Sequence, residues 1–133
     1  MEKEFVPYDR ALILKALGFD EPCLGVFELI VVGDTIPKFR YNWESEDRWF
    51  NHNKEKNKFK DHDWYWSAPL YQQAFKWFRE KCNTHYNLFA GANKWSYVIA
   101  GDLGTDTEEG FNSHEEAQLA CLDKLIEYCQ KLK

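Results

Sequence analysis

Apolar residues recur at helical spacing in the middle of the chain, over S-A-P-L-Y-Q-Q-A-F-K-W-F-R-E-K (67–81). Leu70, Ala74, Trp77 and Phe78 fall at i, i+4, i+7 and i+8, and Tyr71, Phe75 and Cys82 widen the stripe. Gln72, Gln73, Lys76, Arg79 and Glu80 take the remaining positions. This period predicts an amphipathic helix near 68–82, with Ser67 as N-cap and Pro69 in the first turn. A second such stripe, Ala117, Cys121, Leu125, Tyr128 and Leu132, is widened by Leu122, Ile126 and Cys129. It predicts a helix near 114–131, opened by a capping box in which Ser113 caps and Glu116 reaches back. F-V-P-Y-D-R-A-L-I-L-K-A-L-G-F (5–19) predicts a first helix near 7–17. Gly18 should end it in the left-handed conformation, with Phe19 folding back on the last turn.

Between these helices the pattern shortens. Cys23–Val32 is apolar and β-branched and predicts a strand; Gly33-Asp34 marks a turn, and Thr35–Tyr41 alternates as an antiparallel partner whose Pro37 places it at an edge. Thr84–Gly91 and Lys94–Gly101 predict a second hairpin, turned by Gly91-Ala92-Asn93. Gly101–Asn112 reads as an acidic, glycine-punctuated loop. Residues 42–66 keep no period of either kind, although Ser45 could cap a short helix to Phe50. The expected architecture is one α+β domain spanning 1–133. Its order is α-β-β-(loop)-α-β-β-α, with antiparallel hairpins packed on helices.

Composition narrows the function classes. A chain of 133 residues can bury a core without staples, and 44% hydrophobic content argues against disorder. A net charge of −5 argues against duplex nucleic acid as partner, because counterion release needs a basic face. No apolar run reaches membrane length, and the mixed, charged start M-E-K-E-F-V-P-Y-D has no signal-like apolar region, so a cytoplasmic protein is expected. Cys23, Cys82, Cys121 and Cys129 are then expected to be buried thiols. Cys121 and Cys129 would sit about 12 Å apart along one helix, too far to bridge.

Several groups invite a chemical reading, each beside a plainer one. His52, Asp61, His62, Asp63, His85 and His114 carry ligand-type side chains, yet in no metal-binding spacing; a solvated polar segment explains them. Asp102, Asp106, Glu108 and Glu109 offer hard oxygen ligands without EF-hand spacing, and acids before a helix start already suit its dipole. Cys82 and His85 form the one close Cys/His pair, but Cys82 continues an apolar stripe. No phosphate-loop, dinucleotide or serine-hydrolase motif occurs, so no cofactor, metal or catalytic residue is expected. Trp43, Trp49, Phe50, Phe59, Trp64, Tyr65 and Trp66 share the segment 42–66 with Arg48, Lys54, Lys56, Lys58 and Lys60. Such a mixture suits a protein-interface hot spot or a stacking groove for single-stranded nucleic acid, and core packing accounts for part of it.

Three strings carry a resemblance: E-F-V-P-Y-D-R-A-L-I-L-K-A-L-G-F-D-E-P-C (4–23), S-A-P-L-Y-Q-Q-A-F-K-W-F-R-E-K (67–81) and S-H-E-E-A-Q-L-A-C-L-D-K-L-I-E (113–127). Together they resemble a family of small uncharacterised bacteriophage and prophage proteins, mostly of gut Bacteroidales. The resemblance implies an accessory protein of the bacterial host cytoplasm that binds a host or competitor protein, and it transfers no catalytic residue. The expected function is therefore a non-enzymatic protein-binding module. Its candidate contact residues are Trp43, Trp49, Phe50 and Trp64 in the irregular segment, and Gln72, Gln73 and Arg79 on the helix that follows. Small-ligand or single-stranded nucleic-acid binding by the same segment is the alternative.

Overall fold

The computed structural model describes residues 2–28, 37–41 and 65–132. Its contacts divide the chain into two compact units, Met1–Leu70 and Tyr71–Lys133. The fold class is α+β; the described residues form helices and two antiparallel three-stranded sheets.

In the first unit, α1 spans Tyr8–Leu17. Pro7 precedes it at φ −58°, already suited to a helix start. Gly18 ends the helix at φ +104°, its N–H bonding to the Lys15 carbonyl while the Phe19 N–H reaches Leu14. This is the two-bond Schellman arrangement expected from the sequence, and it turns Phe19 into the core at 1% exposure. A single 3-10 turn, Glu2–Glu4, comes before α1.

The sheet of this unit contains β1 (Gly25–Glu28), β2 (Lys38–Tyr41) and β3 (Tyr65–Ala68) in the order β2-β1-β3, all antiparallel. The expected β1–β2 pairing is present; residues 29–36 of the strands and turn predicted there lie outside the described residues. Phe27 stands opposite both Phe39 and Trp66, which makes an aromatic row across the sheet with centroids 5.7 and 6.1 Å apart. Phe5 and Tyr41 extend it, each within 5 Å of Phe39 between ring centroids (4.6 and 4.9 Å). On the other side of β1, Arg40 donates to both carboxylate oxygens of Glu28, at 3.0 and 3.4 Å.

Gly25 is required by this row. A Cβ there would lie 2.5 Å from a Phe39 ring carbon and 3.2 Å from the Ala68 Cβ. Gly25→Val is expected to displace the Phe39 ring and lower stability by about 1–3 kcal/mol. Equilibrium urea denaturation followed by tryptophan fluorescence checks this, and an unchanged midpoint would count against the packing described.

The β3 strand corrects two expectations. Tyr65 and Trp66 belong to a strand, although the sequence shows no strand period there. Ser67 is not a helix cap: it lies in β3 opposite Val26 and is fully buried. The helix α2 begins only at Tyr71 and runs to Cys82. The reason lies in the backbone. The Val6 N–H bonds to the Pro69 carbonyl at 2.9 Å and Phe5 bridges Leu70, so the chain stays extended through Leu70. Proline also biases Ala68 toward extended geometry.

The second unit runs α2, β4 (His85–Ala90), β5 (Trp95–Gly101), β6 (Gly104–Phe111) and α3 (His114–Leu132). Its sheet order is β4-β5-β6, so the two predicted hairpins lie in separate sheets. The β4–β5 turn falls at Gly91–Lys94 as expected, closed by Gly91 N–H to the Lys94 carbonyl. The acidic stretch predicted as a loop is instead strand β6. It turns back from β5 through Asp102-Leu103, with Gly104 at φ +106°. Glu109 and Gly110 together oppose Ser96 in a bulge, where Gly110 takes φ +94°.

The helices cover one face of this sheet. Buried residues are Ala74, Phe75, Trp77, Phe78 and Cys82 on α2, Tyr97 and Ile99 on β5, and Ala117, Cys121, Leu122, Leu125 and Cys129 on α3. Those are the stripes that the 3.6-residue period picks out. Leu132 departs from its stripe and is 40% exposed. The capping box is present with one shift: Glu116 N–H bonds to Ser113 Oγ at 3.2 Å, while its carboxylate accepts from the Asn112 N–H at 3.1 Å, one residue earlier than Ser113.

Candidate binding surface

The sequence candidates fare unequally. Trp43, Trp49, Phe50 and Trp64 lie outside the described residues, as do His52 and His62. On α2, Gln72 and Arg79 face solvent one above the other, seven residues apart, and Gln73 is half-buried. Among the described residues no group of three His, Cys, Asp or Glu side chains is gathered for a metal, and no helix is long and apolar enough to cross a membrane. Cys82 is buried against Cys129, and His85 is exposed on β4.

Two of the four carboxylates with calcium-type side chains, Asp106 and Glu108, have protein partners. Asp106 lies 3.4 Å from the Lys124 ammonium. Glu108 accepts a 2.8 Å hydrogen bond from the Tyr97 hydroxyl. Burial, then the Glu108 carboxylate, pushes the Tyr97 phenol above its ordinary range, so it stays protonated and keeps donating. These contacts explain how a strand as polar as β6 is held: its inward acids are tied to β5 and α3.

Among the described residues, two exposed surfaces carry apolar side chains. In the second unit, the outer face of the sheet carries Asn87, Phe89, Ala100 and Thr107 at exposed positions. At its hairpin end lies a depression of about 480 Å³ lined by Phe89, Asn93, Lys94, Ser96 and Glu109. Its cation is already engaged, since the Lys94 ammonium donates to the Asn112 side-chain oxygen.

The stronger surface is on α1. Its inner side is anchored: Ala11 and Leu14 are buried, the Tyr8 ring meets Phe27 edge-on, and the Trp66 indole N–H donates to the Tyr8 carbonyl at 3.1 Å. Its outer arc holds Tyr8, Leu12 and Ile13, exposed by 38%, 42% and 38%. Ala16 lies on the same arc and is also exposed. Asp9, the one charge among them, is turned onto Arg10 at 2.7 Å. Scattered exposed leucines carry no message, but several large apolar side chains exposed together on one side of a short helix do.

Helix formation does not call for these side chains, because lysine and glutamate would serve as well as leucine and better than isoleucine. The signal was present in the sequence. Leu12, Ile13 and Leu14 are consecutive, so α1 is apolar on more than one side, and a helix of that kind is buried on more than one side. No protein-family model matches this chain, and neither a curated protein nor a solved structure matches it.

Proposed function

We propose that this chain is a non-enzymatic protein-binding module, of the phage accessory type its sequence resembles, and that it engages a host or competitor protein through the outer arc of α1. The observation that carries the reading is the surplus of apolar surface on that helix. Leu12 and Ile13 stand outward, and Tyr8, whose ring rests edge-on against Phe27, leaves part of that ring exposed beside them, around a charge that is paired within the helix. Full burial of a leucine or isoleucine side chain is worth about 1.5–3 kcal/mol, and the two-fifths of Leu12 and Ile13 left exposed forgo roughly 0.6–1.2 kcal/mol of it each. A partner presenting an apolar groove would recover it, with Tyr8 supplying the aromatic anchor common at interface hot spots. The first of the three strings that carry the resemblance contains the whole of α1.

The test is capture of a bacterial protein, identified by mass spectrometry, by the wild-type chain and by the double variant Leu12→Glu, Ile13→Glu. Both positions face water, so circular dichroism and the melting temperature should change little. Affinity for the captured protein is expected to fall at least about 100-fold, as two desolvated contacts would require. Unchanged affinity in a folded double variant would sink the reading, as would a wild-type chain that retains no protein.

A further inference from the structure

The geometry points to a modification site that lies apart from the α1 surface: we infer that Cys82 and Cys129 form a reversible disulfide joining the end of α2 to α3. The two sulfurs are 2.7 Å apart. A disulfide needs about 2.05 Å, so closure asks for a shift of less than about 1 Å. Cys82 is the last residue of α2, and Cys129 lies in the last turn of α3. They are 47 positions apart in sequence.

The surrounding backbone holds the pair in register. Thr84 is 1% exposed and donates its hydroxyl to the Cys82 carbonyl at 3.0 Å. Asn83 between them takes the left-handed conformation, φ +48°, and turns the chain sharply after the helix. Gly101 leaves room for Thr84, since a Cβ there would come within 3.1 Å of its hydroxyl oxygen. Access comes from the helix end: Lys81 and Asn83, on either side of Cys82, are exposed, and terminal turns open locally at low cost. Cys121 is the internal contrast. It is fully buried inside α3 and its thiol is pushed up to about 12 by burial, so it remains a protonated thiol.

The oxidant is a low-molecular-weight disulfide. The Cys82 thiolate attacks one sulfur of that disulfide, a new S–S bond forms, and the first small thiolate leaves and takes up a proton. The Cys129 thiolate then attacks the Cys82 sulfur and displaces the second. Two protein thiols are oxidised to one disulfide, and the small disulfide is reduced to two thiols.

The experiment treats the folded chain with glutathione disulfide, blocks remaining thiols under denaturing conditions, and maps the peptides by mass spectrometry. The expected product is lighter by two hydrogens and contains a Cys82–Cys129 linked peptide, with Cys23 and Cys121 blocked as thiols. Dithiothreitol should reverse it. Closing this loop should raise the melting temperature of the oxidised chain on the order of 10 °C. Cys82→Ala and Cys129→Ala should each abolish the linked peptide. Accumulation of a glutathione adduct on Cys82 without the linked peptide, or linkage through Cys23 or Cys121, would overturn the assignment.

Discussion

Phe78→Ala is expected to unfold most of the Tyr71–Lys133 unit near body temperature. Phe78 is fully buried on α2, and its ring meets Trp77 edge-on at 5.1 Å. Truncation removes the ring's transfer free energy and leaves a cavity that helices already packed on a sheet cannot close, a loss of about 3–5 kcal/mol. A unit of this size holds only about 5 kcal/mol or slightly more in total. Urea titration followed by far-ultraviolet circular dichroism should show the midpoint collapse. Phe89→Ala is the matched control. Phe89 is 40% exposed on β4, so the same change should cost well under about 1 kcal/mol. Equal losses at the two positions would mean that the helices do not cover the face of the sheet described.

The second large effect is expected for Trp66→Ala, in the other unit. Trp66 is 2% exposed, stands beside Phe27 across the sheet, and binds the Tyr8 carbonyl through its indole. Its loss combines a cavity worth about 3–5 kcal/mol with a hydrogen bond worth about 1 kcal/mol. It also frees α1 from β3. Binding through the α1 arc should therefore weaken together with stability, whereas Leu12→Glu with Ile13→Glu should weaken binding alone. Trp66→Phe separates the two terms: it keeps most of the ring and drops the bond, and should cost less than half as much. Denaturation midpoints of the two variants, measured beside binding, check the ordering. A Trp66→Ala chain as stable as wild type would remove the link between β3 and α1.

Much of the second unit was legible because its signals are local. The α2 and α3 stripes, the Ser113 cap and the Gly91–Lys94 turn each depend on residues within a few positions of one another. The end of α1 is equally local, since only a residue such as Gly18 takes φ +104° without strain. The start of α2 was misplaced because the competing bonds come from Phe5 and Val6, more than sixty positions away. The candidate surface divides in the same way. That α1 carries too many apolar residues is visible in Leu12-Ile13-Leu14, but which of them turns outward depends on where Phe27 and Trp66 stand.

The amino-acid sequence by itself determined the buried stripes of α2 and α3, the presence and end of α1, the first hairpin pairing and the α+β class, because periodicity and capping are properties of neighbouring residues. Only the tertiary structure decided that Tyr65–Ala68 and Gly104–Phe111 are strands, since their residues have no strand period and are held by partners in β1 and β5. It alone brought Cys82 against Cys129 and left Tyr8, Leu12 and Ile13 facing outward. A strand's hydrogen-bond partners, a cysteine's neighbour and the free side of a helix are relations between distant segments, and no local pattern encodes them.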